Sequence, residues 1–153
     1  MKFEFEMSDL GQMQYFLGIQ IKQTIAGISI SQSKYVEDLL NMFNMHGSKP
    51  VSNPLVVGCK LMKEDETPLC NTTLYRSNIG SHMYMTTTRT YIMFFVSVVV
   101  RLMHQPHESH WHAAKRILRY VSDTKKFGFF YNATNDFNVV AYTNADWASC
   151  LDD

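Results

Sequence analysis

The sequence predicts an α+β fold, and three observations carry that expectation. Apolar and polar residues alternate through much of the first thirty positions, the period-two pattern of half-buried strands. From about residue 33 to residue 121 the apolar residues recur at spacings of three and four, as on helices that bury one face. Short β-branched and aromatic runs then return at Gly128–Tyr131 and Val139–Thr143. With 153 residues, 46% of them apolar, the chain can bury one core or two very small ones.

Each element has its own local cause. Phe3, Phe5 and Met7 alternate with Glu4 and Glu6 until Ser8-Asp9-Leu10-Gly11 breaks the pattern. Tyr15 to Lys22 reads as a second strand, Ala26-Gly27 as a turn and Ile28–Ser31 as a third strand, so that 15–31 form a β-hairpin. Ser31 or Ser33 is placed to cap a helix with Val36, Leu39, Leu40 and Phe43 on its apolar stripe, closed by Gly47 and Pro50. Residues 48–71 hold three of the four prolines and no periodicity, which predicts a connector wrapped over a surface. Thr72 or Thr73 then caps a helix with Tyr75, Ile79 and Met83 at a spacing of four, and its Gly80 points to close helix–helix contact. Ile92, Phe95, Val96, Val99 and Met103 mark a third helix, buried on most sides. Pro106 opens a fourth, with Trp111, Ala114, Ile117, Leu118 and Val121 on one face. The chain thus divides at 1–47, 48–71, 72–126 and 127–153.

Composition excludes several classes. Fourteen Lys and Arg balance fourteen Asp and Glu, which argues against an obligate nucleic-acid coat or a disordered charged tail. The charge is uneven along the chain: residues 101–131 carry six basic against two acidic side chains, net +4, and residues 132–153 carry four acids and no base, net −4. The longest apolar stretch, Tyr91–Val100, is half the length needed to cross a bilayer, so no membrane association is expected. The charged opening Met-Lys-Phe-Glu-Phe-Glu does not read as a secretory leader. Cys59, Cys70 and Cys150, an odd number at unrelated spacings, read as free thiols in a reducing, intracellular setting. Ten Met residues are expected to fill the core adaptably.

The fourth helix carries the most chemistry. His112, Lys115, Arg116 and Arg119 fall at i, i+3, i+4 and i+7 and share a face opposite Trp111, Ile117 and Val121. Two readings stand side by side: a solvated helix face, or fixed positive charges for phosphate contacts. His104, His107, His110 and His112 invite a zinc proposal, but only His107 and His110 sit three apart in one helix and no Cys or carboxylate completes the set, so no metal site is expected. Glu64-Asp65-Glu66 reads as a solvated cluster, and Asp146 stands alone after a strand. No phosphate-binding glycine loop, serine nucleophile elbow or zinc-protease helix occurs, and no residue is assigned as catalytic.

Six ordered blocks resemble the reverse transcriptases of copia-type LTR-retrotransposon Pol polyproteins. They are Phe5-Glu6-Met7-Ser8-Asp9-Leu10-Gly11 with Tyr15-Phe16-Leu17-Gly18-Ile19; Ile30 to Leu40; Lys49 to Pro54; Leu74 to Ser81; Ala113 to Tyr120; and Ala141 to Ala148. The resemblance implies a primer-grip hairpin from the end of the palm within 1–47, a helical thumb and connection region at 72–126, and the truncated start of an RNase H-like domain at 127–153. It implies that Tyr15, Phe16, Leu17 and Gly18 meet a primer terminus. Lys115, Arg116 and Arg119 would meet the backbone of an RNA–DNA hybrid or DNA duplex, with the rest of the Pol polyprotein as a protein partner. Three departures from the family stand out. The family's metal-binding Tyr-Val-Asp-Asp loop lies upstream of the block that starts here, so the Mg of the intact family has no place in this stretch and no cofactor is expected. Asn144 stands where the family commonly has the first RNase H Asp, leaving Asn144 and Asp146 as a degenerate pair, and Thr90-Tyr91 replaces a usual Pro-Asp. The resemblance therefore implies an inactive segment. The alternatives are a non-catalytic binding module, or a piece of an active polymerase or RNase H completed by an upstream segment.

Overall fold

Two tight reversals shape the N-terminal part of the chain. In the computed structural model, which describes residues 11–134, β1 (Tyr15–Phe16), β2 (Ile19–Thr24) and β3 (Gly27–Ser31) run antiparallel to one another. The stretch from Tyr15 to Lys22, expected as one strand, is two. Leu17 and Gly18 both take left-handed φ, +48° and +82°, and this two-residue turn matches the twist of the strands it joins. The second turn is Ile25-Ala26, one residue earlier than expected, because Gly27 already pairs with Thr24. A Cβ at Gly27 would collide with the Tyr131 carbonyl on the next strand, so only glycine lets that strand approach.

That next strand is β4 (Gly128–Asn132), which pairs with β3 along its whole length and completes a sheet of order β1-β2-β3-β4. The run read as the opening of an RNase H-like unit thereby joins the hairpin's sheet across about a hundred residues of sequence. The alternation at Phe3, Phe5 and Met7, the run Val139–Thr143, Cys150 and the pair Asn144 and Asp146 lie outside the described residues.

Four helices form the second layer: α1 (Ser33–Met42), α2 (Thr72–Met85), α3 (Met93–Val100, after a 3-10 turn at Thr90–Ile92) and α4 (Glu108–Asp123). Their core gathers Val36, Leu39 and Leu40 from α1, Tyr75, Ile79 and Met85 from α2, Ile92, Val96 and Val99, and Ala114, Ile117, Leu118 and Val121 from α4. Each of the larger aliphatic side chains contributes about 1.5–3 kcal/mol by leaving water. The helix starts differ from expectation. Gln32 takes the N-cap of α1 without a side-chain bond, because Ser33 Oγ instead donates to the Lys125 carbonyl at 2.9 Å. On α2 the cap is Asn71, one residue earlier than Thr72, its side chain accepting from Leu74 N–H at 2.9 Å.

The buried face of α2 is partly polar. Tyr75, Asn78, Ile79, His82 and Met85 face inward, whereas Met83 is exposed and Gly80 has no atom within reach of a would-be Cβ. Gly80 therefore marks no close helix crossing. Neither amide atom of Asn78 has a hydrogen-bond partner, nor has His82 Nδ1; a buried polar group left so costs about 1–3 kcal/mol. On α3, Met93 and Phe94 are exposed, so that helix is half buried where burial on most sides was expected: it packs against α2 and α4 and buries Val96 and Val99. Met13, Met42, Met62, Met83 and Met93 are likewise exposed, leaving Met45 and Met85 as the buried methionines among the described residues. No helix among them is long and apolar enough to cross a membrane.

Sheet and helices meet through a buried polar knot. Arg89, fully buried, donates from Nη2 to the Lys125 carbonyl at 2.8 Å and from Nη1 to Thr88 Oγ1 at 3.2 Å; Thr88 donates in turn to Gln32 Oε1 at 2.7 Å. The Lys125 carbonyl, just past α4, thus binds both the α2–α3 link and the start of α1. That fixes the direction in which the chain leaves for β4.

Candidate nucleic-acid interface

The basic face of α4 is built by the helix period and then oriented by the connector. Ala114, Ile117, Leu118 and Val121 turn inward, which leaves Lys115, Arg116 and Arg119 half-buried at the flank and His112 exposed. Arg116 Nε donates to the Asn53 carbonyl and Arg119 Nε to the Lys49 carbonyl, both at 3.1 Å. Each guanidinium has five N–H donors in a fixed fork. Anchoring the Nε edge holds the fork in one orientation and lowers the entropy lost when its terminal nitrogens meet an anion. Lys115 Nζ lies 5.2 Å from the centre of the Trp111 ring. Trp111 is therefore beside the basic face, not opposite it: positions i and i+4 are neighbours on a helix. Its ring bridges to the core through Phe43, 6.2 Å away.

The histidines do structural work at the start of this helix. His107 is the N-cap; its N–H donates to His110 Nδ1 at 3.0 Å, and His110 Nε2–H donates to the Met62 carbonyl at 2.9 Å. Those two bonds require a neutral ring with its proton on Nε2, and burial accordingly lowers the His110 pKa. His107 Nδ1–H donates to the Thr67 carbonyl at 2.5 Å, while Asp65 accepts from Thr67 and, at 3.0 Å, from Ser109 Oγ. Hydrogen bonds from Thr67 hold Asp65 down to about 2. Asp65 is thus a docking residue, and its neighbours Glu64 and Glu66 are exposed. Among the described residues no group of three or more His, Cys, Asp or Glu is placed to hold a metal ion. Cys59 and Cys70 are free thiols.

The hairpin tip is held by α2 instead. Tyr84 OH donates to the Leu17 carbonyl, and its ring sets an edge against Tyr35 with centroids 4.9 Å apart. Gly18 lies over that same Tyr84, where a Cβ would sit 3.4 Å from its hydroxyl. This fixes the backbone of the turn and leaves the side chains outward: Tyr15, Phe16 and Leu17 are 50%, 55% and 73% exposed. Four sequence-predicted residues of the tip are therefore together, and so are three on α4, each group positioned by different neighbours.

Sequence reasoning missed what surrounds the tip. Lys34 Nζ stands 5.7 Å from the Tyr15 ring centre, and a cleft of about 440 Å³ on the same sheet is lined by Gln12, Gln14, Gln20, Lys22, Gln23, Ser29 and Ser31 together with Met13 and Ile21. The signal was present in the polar half of the alternation. Gln20 pairs with Ser31 and Lys22 with Ser29, so the polar positions of two strands make one face.

Comparison with known proteins agrees with the ordered blocks. Residues 1–57 match the family profile for reverse transcriptase (RNA-dependent DNA polymerase). The chain is 40% identical over 149 residues to the retrovirus-related Pol polyprotein from transposon RE1 of Arabidopsis thaliana, covering 97% of this chain and 10% of that polyprotein. It is 38% identical over 161 residues to the corresponding polyprotein from transposon TNT 1-94 of Nicotiana tabacum, covering 97% of this chain and 12% of that one. An uncharacterized mitochondrial protein of Arabidopsis thaliana is 40% identical over 147 residues, 95% of this chain and 60% of that protein. No solved structure matches. The chain spans about a tenth of the length of the transposon polyproteins it matches. By sequence it is related to the Pol polyproteins of copia-type retrotransposons, in their reverse-transcriptase part.

Proposed function

We propose that this stretch is a non-catalytic contact region of a reverse transcriptase, one that grips the sugar–phosphate backbone of an RNA–DNA hybrid or DNA duplex. The observation that carries the reading is the basic face of α4. Three cations share one flank, and each is held by a neighbour that leaves its charge outward: Trp111 under Lys115, the Asn53 carbonyl at Arg116, the Lys49 carbonyl at Arg119. A structural role alone would be met by the two carbonyl bonds. The local excess of six bases over two acids in 101–131 supports the wider role. The exposed aromatic tip at Tyr15 and Phe16 supplies a second, stacking contact for a strand end. Two-metal nucleotidyl transfer needs clustered carboxylates; among the described residues Asp65 is taken up by Thr67 and Ser109, and its neighbours Glu64 and Glu66 are exposed.

Fluorescence anisotropy with a labelled hybrid at several salt concentrations tests the reading. Three phosphate contacts give a log–log salt slope of about −2 to −3. The triple substitution Lys115→Ala, Arg116→Ala, Arg119→Ala should flatten that slope, with the fold checked by circular dichroism because two of these residues also hold the connector. Tyr15→Ala with Phe16→Ala should weaken binding to a recessed primer end and leave the slope unchanged. Unaltered affinity and slope in the triple variant would overturn the assignment.

A further inference from the structure

Residues 62–69 of the connector are laced to the first turn of α4 in antiparallel order. Leu69 and His107 pair as residues on adjacent strands do: Cys70 N–H donates to the Pro106 carbonyl at 3.0 Å, and Glu108 N–H to the Pro68 carbonyl at 2.9 Å. Ser109 N–H then donates to Thr67 Oγ1 at 3.3 Å, Ser109 Oγ reaches Asp65, and His110 Nε2–H ends the series on the Met62 carbonyl. The segment forms no helix or strand of its own, and Met62 and Leu69 are exposed, so hydrogen bonds hold it where apolar burial does not. Leu61 and Cys70, on either side of it, pack against the core. Stretches held in this way open locally at far less cost than a core does.

Among these bonds, those of His110 depend on a proton near neutral pH. Its Nδ1 accepts from His107 N–H and its Nε2–H donates to Met62, so both ring nitrogens are engaged. A proton on Nδ1 sets donor against donor. His107 differs, because its Nδ1–H donates to the Thr67 carbonyl whether or not Nε2 is protonated. Asp65 stays ionised down to about 2. We propose that residues 62–69 are a latch, closed by the neutral His110 ring and released when that ring takes a proton, with the helical core still folded. The groups about the ring act in both directions. Burial holds the docked ring's pKa down against the Met62 carbonyl and the Asp65 charge, and the His107 ring, 5.4 Å away between centres, adds to the lowering. Glu108 is half-buried beside His107, and Lys63, Glu64, Glu66 and His104 are exposed. A released ring returns to its ordinary value near 6.5. Below that pH the open state binds a proton that the docked state does not, so the ratio of open to docked rises by up to about tenfold per pH unit. Upstream, the connector gives its Asn53 and Lys49 carbonyls to Arg116 and Arg119, so release frees one of the two ends by which it is tied to α4.

The Glu108 and Ser109 amides report the latch directly, because the first N–H groups of a helix have no partner inside it. Their hydrogen exchange in the full chain, followed by NMR at about pH 7.5, 6.5 and 5.5, tests the proposal. At the highest pH the ring nitrogen shifts of His110 should place its proton on Nε2. From about pH 6.5 to 5.5 the protection factors of both amides should fall about two- to fivefold, in step with protonation of His110. They should stay below those of Ile117 and Leu118, in the middle of the helix, throughout. His110→Gln keeps an acceptor for His107 N–H, as the glutamine of a capping box does, and does not titrate. Its Glu108 and Ser109 amides should keep across the range whatever protection they have at the highest pH. Protonation of His110 in the parent with no loss of protection at these two amides would overturn the proposal. So would an equal loss in His110→Gln. Amides as well protected as Ile117 and Leu118 would overturn it too, since the segment would then open only with the whole fold.

Discussion

His82 should make the stability of this fold depend on pH in a defined window. Its ring is fully buried; Nε2–H donates to the Ala114 carbonyl at 3.0 Å, and Nδ1 has no partner. Burial lowers its pKa from 6.5 to about 4, an effect that the hydrogen bond to the Ala114 carbonyl only partly opposes. The folded state therefore holds the ring neutral, while the unfolded chain protonates it below about 6.5. Above that pH the ring makes no difference. As pH falls from 6.5 towards 4 the unfolded state binds a proton that the folded state does not, and stability is lost. At about 1.4 kcal/mol per pH unit the full loss is about 3 kcal/mol, with most of it present by pH 4.5. That is a large share of the 5–15 kcal/mol typical of a domain. Urea unfolding of the parent and of His82→Leu at pH 7.5, 5.5 and 4.5 measures it. The variant should match or exceed the parent at pH 7.5, because the orphaned Nδ1 is gone, and the gap should widen by about 2–3 kcal/mol at pH 4.5. His110 titrates nearby in the same direction, but it is common to both proteins and cancels in the difference. A constant gap across the three pH values would refute the assignment.

Asn78→Leu should raise the unfolding free energy by about 1–3 kcal/mol at neutral pH, since both amide atoms are buried without partners; a decrease in the urea midpoint would show that the amide is bonded after all. Asp65, held down to about 2, stabilises the fold above its unfolded value near 3.8, and that contribution is lost as pH falls through about 2. Asp65→Asn should therefore be less stable than the parent at pH 5, with the difference shrinking by pH 2 in thermal melts. If the proposed non-catalytic role holds, primer extension on a primed RNA template with Mg²⁺ or Mn²⁺ should not exceed a mock preparation, and Asn144→Asp should not create hybrid cleavage; product on a sequencing gel in either assay would contradict that role.

Much of the architecture was legible in the sequence because periodicity is a local property. Val36, Leu39 and Leu40 repeat at the helical period, and Ile28–Ser31 alternate at the strand period, whatever lies opposite them. The shared face of Lys115, Arg116 and Arg119 followed from the same geometry. The ordered blocks carry the resemblance to copia-type polyproteins, and the similarity to the transposon Pol polyproteins over nearly the whole chain agrees with it. Tertiary structure alone decided what each face met. It placed Trp111 beside Lys115, gave the Arg116 and Arg119 Nε groups to connector carbonyls, and used His107 and His110 as a cap in place of ligands. It turned Asn78 and His82 inward, a choice that hydropathy would not make, because α2 must bury Tyr75 and Ile79 and residues three and four apart are carried to the same side. It also attached Gly128–Asn132 to β3: strand pairing is a bond between segments distant in sequence, and nothing in either segment names its partner.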